Sequence, residues 1–277
     1  MIQLGKYNTL QVVKEVEFGI YVDGGEGLEI LMPGKYVPAG TKVGDEVRCF
    51  VYQDSEARLI ATTERPYATV GEFASLKINS VNAVGAFADW GTSKELLIPH
   101  REQPVKMEEG HRYIIYIYVD TVSGRIVGTG RIDRYLDNVP PAYEENEEVD
   151  ALVWKPTPLG YKVIVNHKHT GLVYKNQIFQ PVRVGEHLRA WVKSIREDDK
   201  IDLMLQPMGY RNVIDSVEAT ILKALHNNDG FLPLTDNTDP AVIADKLQCS
   251  KKNFKKAIGA LYKQERIVIE QEGIRLR

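Results

Sequence analysis

Cysteines and long apolar runs are nearly absent from this sequence. Of its 277 residues only Cys49 and Cys249 are cysteines, and neither has a cysteine or histidine at ligand spacing nearby. A disulfide framework and a zinc site are therefore not indicated. No stretch approaches the roughly 18 apolar residues of a membrane span, and the first residues lack a basic segment followed by an apolar core. We expect a cytoplasmic protein without a membrane partner.

Signatures of catalysis are missing as well. The sequence contains no glycine-rich phosphate loop, no paired metal-ligand motif and no local signature of a Ser, His and Asp arrangement. The acidic pair Asp198-Asp199 precedes a predicted strand and is better explained as a turn former. We therefore expect a protein that is not an enzyme and that needs no cofactor and no metal.

One glycine spacing occurs three times. Gly19, Gly85 and Gly160 each lie in a short apolar and aromatic run, and a second glycine follows each of them 25 residues later. These second glycines are Gly44, Gly110 and Gly185. Repetition at a fixed internal distance indicates three copies of one structural unit.

Short segments rich in β-forming residues surround each glycine pair. In the first copy they span 9–16, 19–23, 27–32, 46–53 and 58–62, and in the second 73–82, 85–89, 95–98, 112–120 and 125–130. The third copy has Gly160 to Val165, then Gly171-Leu172-Val173-Tyr174, the turn Val184-Gly185-Glu186 and a last segment from Asp199 to Leu205. Such closely spaced strands predict a small all-β barrel.

This order of motifs resembles the ribosomal S1-type RNA-binding domain, a five-stranded OB-fold barrel. The family pattern has an aromatic-Gly-x-aromatic strand, a Gly-Leu-Val-His strand and a Val-Gly-Asp turn, and the resemblance covers roughly residues 4–206 as three tandem units. It implies that bases of a single strand stack on aromatic side chains of strands two and three, while cations meet the phosphates. By alignment the stacking residues are Phe18, Tyr21, Phe87 with Trp90 close by, and Tyr174.

The three predicted barrels differ in their polar residues. The third has Lys162 where the others have Tyr21 and Phe87, beside Tyr161, and its loop contributes His167. The first two have Met32 and Ile98 where the family has a surface histidine. We expect the third barrel to bind RNA and the others to assist or to act as spacers. The alternatives are core or cross-strand packing for the aromatic residues and a solvated loop for His167-Lys168-His169.

The charge distribution favours the C-terminal half as the side that meets a polyanion. Residues 1–66 contain 7 basic and 10 acidic residues, and residues 67–145 contain 8 and 11, a net charge of −3 in each case. Residues 146–211 contain 10 and 8, and residues 212–277 contain 10 and 9. A proline pair and an acidic cluster mark 134–148 as a linker, which we expect to be a solvated connector.

After Pro207 the hydrophobic period changes from two to 3.6 residues. Val213, Val217, Ile221 and Leu225 lie on one face of a first helix, which ends at the stop signals of 227–230. We predict a second helix capped by Asp239 and a third from 251 to 264 capped by Ser250. A hairpin of 267–269 and 274–276 follows, and this order predicts a winged helix with its third helix in the recognition position.

The third helix has one apolar and one cationic face. Phe254, Ala257, Ile258 and Leu261 form the predicted buried face, and the opposite side carries four lysines. These candidate nucleic-acid-binding residues are Lys252, Lys255, Lys256 and Lys263. The alternative is a solvated lysine face that only keeps the domain soluble.

Three S1-type barrels followed by this winged helix resemble the conserved virulence factor B family of bacterial RNA-binding proteins over nearly the whole chain. The expected fold is mostly β with a C-terminal α+β domain. We place the domains at 1–66, 67–133, 149–208 and 212–277, with the linker at 134–148. The resemblance implies a non-enzymatic protein that binds single-stranded RNA and regulates gene expression after transcription.

Two other functions remain open from the sequence. A winged helix can read duplex DNA as part of a transcription regulator, although the predicted recognition face has only Asn253 and Gln264 near it for base edges. S1-type barrels also serve as accessory modules, so the chain could be an interaction scaffold on a ribosome or a ribonuclease. We expect single-stranded RNA as the main partner, with ribosomal or RNA-processing proteins as further candidates.

Overall fold

A computed structural model describes residues 2–178, 181–207 and 210–277, apart from the side chains of residues 210–216. The chain divides into two compact units, Met1–Leu136 and Asp137–Arg277. The first contains two five-stranded β-structures, and the second contains a third one and a helical domain. The predicted fold class, mostly β with a C-terminal α+β domain, is confirmed.

The first barrel closes through five strands in the order β1-β2-β3-β5-β4. They are β1 (Tyr7–Val16), β2 (Gly19–Asp23), β3 (Glu29–Pro33), β4 (Glu46–Gln53) and β5 (Leu59–Thr62). Alternating residues of these strands point inward, as the period of two requires. The barrel core contains Val12, Val22, Met32 and Val51.

The second β-structure is a curled five-stranded sheet in the order β10-β9-β6-β7-β8. Its strands are β6 (Phe73–Val81), β7 (Gly85–Ala88), β8 (Leu96–Pro99), β9 (Arg112–Val119) and β10 (Ile126–Thr129). The strand pairings β6-β7, β7-β8 and β6-β9 repeat those of the first barrel. We refer to the two structures as barrel 1 and barrel 2.

The hydrophobic core of barrel 2 includes residues of barrel 1, so the two barrels share this core, while barrel 1 keeps a second core of its own. Phe50 and Tyr52 of β4 belong to the same buried cluster as Leu76 and Trp90. The rings of Phe50 and Trp90 meet edge to face with their centroids 5.3 Å apart. The hydroxyls of Tyr36 and Ser93 add a hydrogen bond of 2.7 Å between the barrels. A shared core makes the pair one packing unit, which the repeat pattern alone does not predict.

The third barrel is closed and has the same strand order as the first. Its strands are β11 (Glu148–Pro156), β12 (Gly160–Val165), β13 (His169–Tyr174), β14 (His187–Ile195) and β15 (Ile201–Met204). Asp199 has a positive φ of 59° in the turn before β15. This backbone conformation agrees with the predicted turn-forming role of Asp198-Asp199.

Most of the segment before barrel 3 is exposed, as expected for a connector, but some of its residues pack against the barrel. The Asp137 carboxylate accepts hydrogen bonds from the backbone N–H and the hydroxyl of Thr170, at 2.7 and 2.9 Å. His169 is only 3% exposed, and its ring nitrogens lie 2.9 Å from the Tyr143 hydroxyl and 2.8 Å from the Val139 carbonyl oxygen. The expected solvated loop is therefore wrong for His169, because the incoming chain covers that end of β13.

The C-terminal domain follows the predicted order of helices and strands. It contains α1 (Tyr210–His226), β16 (Phe231–Leu232), α2 (Pro240–Leu247), α3 (Lys251–Lys263), β17 (Ile267–Ile269) and β18 (Ile274–Leu276). Asp239 caps α2 by accepting from the Ala241 N–H, and Ser250 caps α3 by accepting from the Asn253 N–H, as predicted.

The core of this domain agrees with the predicted helix faces. Phe254, Ala257, Ile258 and Leu261 are all buried, together with the three predicted α1 residues Val217, Ile221 and Leu225. The side chain of Val213 lies outside the described residues. The short strand β16 was not predicted and pairs with β18, so the wing forms a three-stranded sheet.

Candidate nucleic-acid interface

A β-bulge occurs at the same place in all three barrels. The register of the first strand against the second shifts between Val12 and Lys14 in barrel 1, between Ile78 and Ser80 in barrel 2, and between Val153 and Lys155 in barrel 3. One extra residue therefore lies in each bulge, and it is Val13, Asn79 or Trp154. These three positions are structurally equivalent because the bulges occur at the same place in each barrel. A bulge also redirects the side chains around it.

The repeated glycine brings the second and third strands into close contact. A Cβ atom placed on Gly160 would lie 1.9 Å from the carbonyl oxygen of Val173. The same atom on Gly19 or Gly85 would lie 2.2 or 2.3 Å from a carbonyl oxygen of the facing strand. A side chain at this position would clash with backbone, which explains why glycine opens each second strand.

The cross-strand register corrects the alignment of the family's histidine position. Gly160 pairs with Tyr174, and the equivalent glycines pair with Pro33 in barrel 1 and Pro99 in barrel 2. Met32 and Ile98 are instead fully buried. They were assigned to the surface position because the sequence alignment was one residue out of step, and one residue moves a strand side chain to the opposite face.

Barrel 3 presents an aromatic and cationic platform on its outer face. The ammonium nitrogens of Lys155 and Lys162 each lie 4.4 Å from the centroid of the half-buried Trp154 ring. Lys162 also faces Leu172 across the strand pair. Trp154 was not predicted as a site residue. The signal available for it in the sequence was its alignment with Val13 of the first copy.

Tyr174 extends this platform toward β14 and β15. The Arg196 guanidinium donates to the Tyr174 hydroxyl and to a carboxylate oxygen of Asp202. The hydrogen bond with Asp202 raises the pKa of Arg196. The ammonium of Lys193 lies 6.0 Å from the Tyr174 ring centroid. The polar end of the tyrosine is therefore held in place while its half-exposed ring lies at the surface.

Two predicted residues of barrel 3 lie elsewhere. Tyr161 packs against the barrel core, on the side opposite to Lys162. His167 occupies the β12–β13 turn, at the end of the hairpin opposite to the Gly160–Tyr174 pair. Five strand residues separate the two ends, roughly 17 Å along the strand. The structure therefore brings Lys162 and Tyr174 together with Trp154, and separates Tyr161 and His167 from them.

The predicted aromatic residues of barrels 1 and 2 have different environments. Phe18 is 60% exposed in the β1–β2 turn, and the Lys14 ammonium lies 5.6 Å from the ring centroid of Tyr21. Phe87 is half-buried. Trp90 is only 2% exposed and its ring N–H donates to the Ala68 carbonyl at 2.7 Å. The assignment of Trp90 to a stacking surface is wrong, because its ring fills the shared core.

The lysines of α3 lie on the side predicted for them. Lys252, Lys255 and Lys263 are exposed and Lys256 is half-buried. The Lys255 ammonium forms an ion pair of 3.3 Å with Asp236. Tyr262, which was not predicted as a site residue, is 56% exposed on the same helix and flanks the lysine face at 100° per residue. An exposed tyrosine on a lysine-rich helix was the signal available for it.

The described residues contain neither a metal-binding cluster nor a membrane-spanning helix. Across residues 2–178, 181–207 and 210–277, no group of three or more His, Cys, Asp or Glu side chains is arranged to hold a metal ion. No helix in this part of the chain is long and apolar enough to cross a membrane.

Comparison with known families identifies the type of domain at each end of the chain. Residues 4–64 match the family model of the S1 domain, and residues 219–276 match that of the CvfB-like winged helix domain. The chain therefore combines S1-type OB-fold barrels with a winged helix, both of which are domain types that bind nucleic acids.

Individual relatives extend this similarity to most of the chain. It is 26% identical over 275 residues to the uncharacterized protein YitL of Bacillus subtilis, covering 96% of this chain and 91% of the relative. It is 27% identical over 244 residues to conserved virulence factor B of Staphylococcus aureus, covering 85% and 80%. The predicted resemblance to the conserved virulence factor B family is thereby confirmed.

A solved structure also resembles the chain. It is that of a multidomain protein with nucleic acid binding domains from Streptococcus pneumoniae, which is 26% identical in sequence. The match covers 99% of this chain and 98% of the other, with a TM-score of 0.44.

Proposed function

We propose that this protein binds single-stranded RNA through the outer face of barrel 3 and the lysine face of α3. The observation that carries the proposal is that the ammonium groups of Lys155 and Lys162 each lie 4.4 Å from the centroid of the Trp154 ring, on the same face as Tyr174. An aromatic ring with cations beside it can stack a base and neutralise the neighbouring phosphates at the same time.

The same arrangement favours single strands over duplexes. Bases stack on Trp154 or Tyr174 only when they are not paired within a helix, and each stacked base contributes about 1–3 kcal/mol. Stacking depends little on base identity because every base has a π-face. We therefore expect this face to bind RNA with low sequence preference.

The winged helix supports binding by charge rather than by reading base edges. Four of the five lysines of α3 lie on its cationic face and are point charges suited to phosphates, and the turn of the wing carries Glu270 and Glu272. Glu272, together with Glu270 that is paired with Arg275, puts negative charge at the turn of the wing, which opposes insertion of that turn into a DNA groove. This observation favours RNA over the alternative of a duplex-DNA regulator.

The proposed biological role is a non-enzymatic regulator that acts on transcripts after their synthesis. Low sequence preference and a charged surface suit a protein that acts on many RNAs. The proposal retains the domain boundaries 1–66, 67–133, 149–208 and 212–277, with barrels 1 and 2 assisting barrel 3.

Trp154→Ala and Tyr174→Ala test the assignment in the full chain. Affinity for a labelled uridine decamer should fall by about 1–3 kcal/mol in each variant, as measured by fluorescence polarisation. Tyr67→Ala removes a 59% exposed tyrosine of barrel 2 and serves as a matched control with unchanged affinity. Unchanged binding in both barrel 3 variants, with their folds intact, would rule out this face.

A further inference from the structure

One position of the fourth strand carries an aromatic residue in every barrel. It is the residue that pairs with the first residue of the first strand, and it is Phe50, Tyr116 or Trp191. The residues on both sides of it belong to the core of the same barrel in each case. Because successive side chains of a strand point to opposite faces, the three rings lie on the outer surface of their own barrels.

In barrels 1 and 2 another part of the chain covers this ring. The Trp90 ring of barrel 2 meets Phe50 edge to face at 5.3 Å between centroids. Tyr135, in the segment that follows barrel 2, stacks on Tyr116 with 3.9 Å between the centroids and 23° between the ring planes. The outer face of the fourth strand therefore accepts a flat ring at stacking distance.

Trp191 of barrel 3 lacks such a cover. Its side chain is half-buried and is not part of the barrel core. Among the side chains that the structure describes, no aromatic ring contacts that of Trp191. The position that takes a ring from the chain itself in barrels 1 and 2 can thus take a ring from a ligand in barrel 3.

Trp191 is continuous with the platform of barrel 3. Val173 of β13 pairs with Leu203 of β15, and Met204 of β15 pairs with Trp191 of β14. One further residue along β13 therefore places Tyr174, Met204 and Trp191 in a row across three neighbouring strands. Two strand spacings separate the backbones of Tyr174 and Trp191, about 10 Å.

Cations accompany Trp191 along β14. The exposed Arg189 guanidinium lies 6.0 Å from the centroid of the Trp191 ring. The exposed Lys193, whose ammonium lies 6.0 Å from the Tyr174 ring centroid, stands between the two aromatic residues. Barrels 1 and 2 have Tyr52 and Tyr118 at the position of Lys193.

The carboxylates near this row are already paired. Glu148, which faces Trp191 across the strand pair, forms an ion pair of 2.6 Å with Arg189. Asp202 forms one of the same length with Arg196. Neither acid therefore leaves an unbalanced negative charge beside the row, and Lys193 adds a positive one. This charge balance suits a polyanion.

We propose that Trp191 stacks a second part of the bound RNA, so that the strand crosses barrel 3 from Trp154 and Tyr174 over Met204 to β14. A single strand with its bases on successive aromatic rings and its phosphates near Lys193 matches this row. The inference rests on the proposed function, since it extends the same RNA site to the fourth strand.

The affinity of full-length variants for a labelled uridine decamer tests the contact. Trp191→Leu should weaken binding about tenfold, because it removes one stacking surface and keeps an apolar side chain. Trp191→Tyr should retain most of the affinity, since it restores a ring. Tyr67→Ala removes an exposed tyrosine of barrel 2 and should bind as the wild type does. Circular dichroism checks the fold of each variant.

Tryptophan fluorescence reports on the stacking directly. In Trp154→Phe the remaining tryptophans are Trp191 and Trp90, and Trp90 is only 2% exposed in its core. A saturating concentration of the decamer should quench the emission of this variant, because a base stacked on an indole quenches its fluorescence. The quenching should disappear in the Trp154→Phe/Trp191→Phe double variant.

The outcomes separate this inference from the proposed function. If the wild type binds the decamer, but Trp191→Leu binds equally well and Trp154→Phe shows no quenching, the inference is overturned and the proposed function stands. Loss of affinity in Trp191→Leu, with normal binding in Trp154→Ala and Tyr174→Ala, would support the inference and overturn the assignment of those two residues. A wild type that does not bind the decamer would overturn both.

A second copy of the chain is the other possible cover for Trp191. Analytical ultracentrifugation of the wild type and of Trp191→Leu measures this. Self-association that Trp191→Leu abolishes, together with unchanged affinity for the decamer, would overturn the RNA contact and assign this face to an interface between copies.

Discussion

The ammonium of Lys162 on β12 lies 4.4 Å from the centroid of the ring of Trp154, the residue in the bulge of β11. A cation in that position is attracted by the ring quadrupole. Barrels 1 and 2 have Val13 and Asn79 at the bulge position. Of the three bulge positions, the one in barrel 3 therefore carries an aromatic residue, whereas the cation of barrel 1 at this place, Lys14, lies near Tyr21 of the second strand.

Charge reversal on α3 should change the salt dependence of RNA binding. In the Lys252→Glu/Lys256→Glu variant the slope of log K against log salt should become shallower by about 0.7 for each phosphate that the helix no longer neutralises. Affinity for a uridine decamer, measured at several salt concentrations, checks this. Lys106→Glu, an exposed lysine of barrel 2, is the control for a change in net charge. An identical slope in the double variant and the wild type would show that α3 does not meet the strand.

Truncation of Trp90 should destabilise barrels 1 and 2 together. Trp90→Ala removes a buried ring from their shared core, and such changes cost about 3–5 kcal/mol. Denaturant unfolding followed by circular dichroism measures the decrease in stability. Tyr67→Ala, at an exposed position, should change stability by less than about 0.5 kcal/mol. Separate unfolding transitions for the two barrels would contradict the shared core.

The ion pair of His187 and Asp150 should make barrel 3 sensitive to pH. The hydrogen bond that the His187 ring nitrogen donates to the Asp150 carboxylate, 3.0 Å away, raises the pKa of His187 above 6.5 despite partial burial. A raised folded-state pKa gives stability that is present below the unfolded pKa and is lost as pH rises through the folded one. NMR titration should show the His187 pKa decreasing in Asp150→Asn. The stabilising effect of Asp150 should also be smaller at about pH 8.5 than at about pH 5.5. No change in the titration would show that the pair has no effect on protonation.

Replacement of Gly160 and of Gly259 by alanine should have opposite effects on the free energy of unfolding. Gly160→Ala puts a Cβ 1.9 Å from the Val173 carbonyl oxygen, and overpacking of this kind costs about 1–3 kcal/mol. Gly259 lies within α3 with no heavy atom within 4 Å of a Cβ. Gly259→Ala should stabilise the helix by about 0.5–1 kcal/mol. Thermal unfolding of both variants compares them, and equal effects would refute the close-contact explanation of the repeat.

The local elements of this protein could be predicted from its sequence. The helix caps Asp239 and Ser250, the buried face of α3 and the strands around each repeated glycine all depend on residues a few positions apart. Side-chain capping and hydrophobic period act at that range, so the sequence contains the information directly. The repeated glycines were also informative about the position of the strands. The reason for glycine at these positions is its contact with the carbonyl oxygen of the facing strand, and this contact became visible only in the strand pairing.

The tertiary structure decided which residues lie on the surface and which lie in the core. A bulge of one residue places Trp154 beside Lys162, and a one-residue error in alignment had put Met32 at the surface although it is in the core. Trp90 was predicted to stack a base, but it packs against Phe50 of another barrel. A strand side chain changes face with every residue, so register and packing between distant segments determine which groups are exposed. The sequence determined the three barrels and the winged helix, whereas cross-strand register and the packing of barrel 1 on barrel 2 decided which residues can meet a nucleic acid.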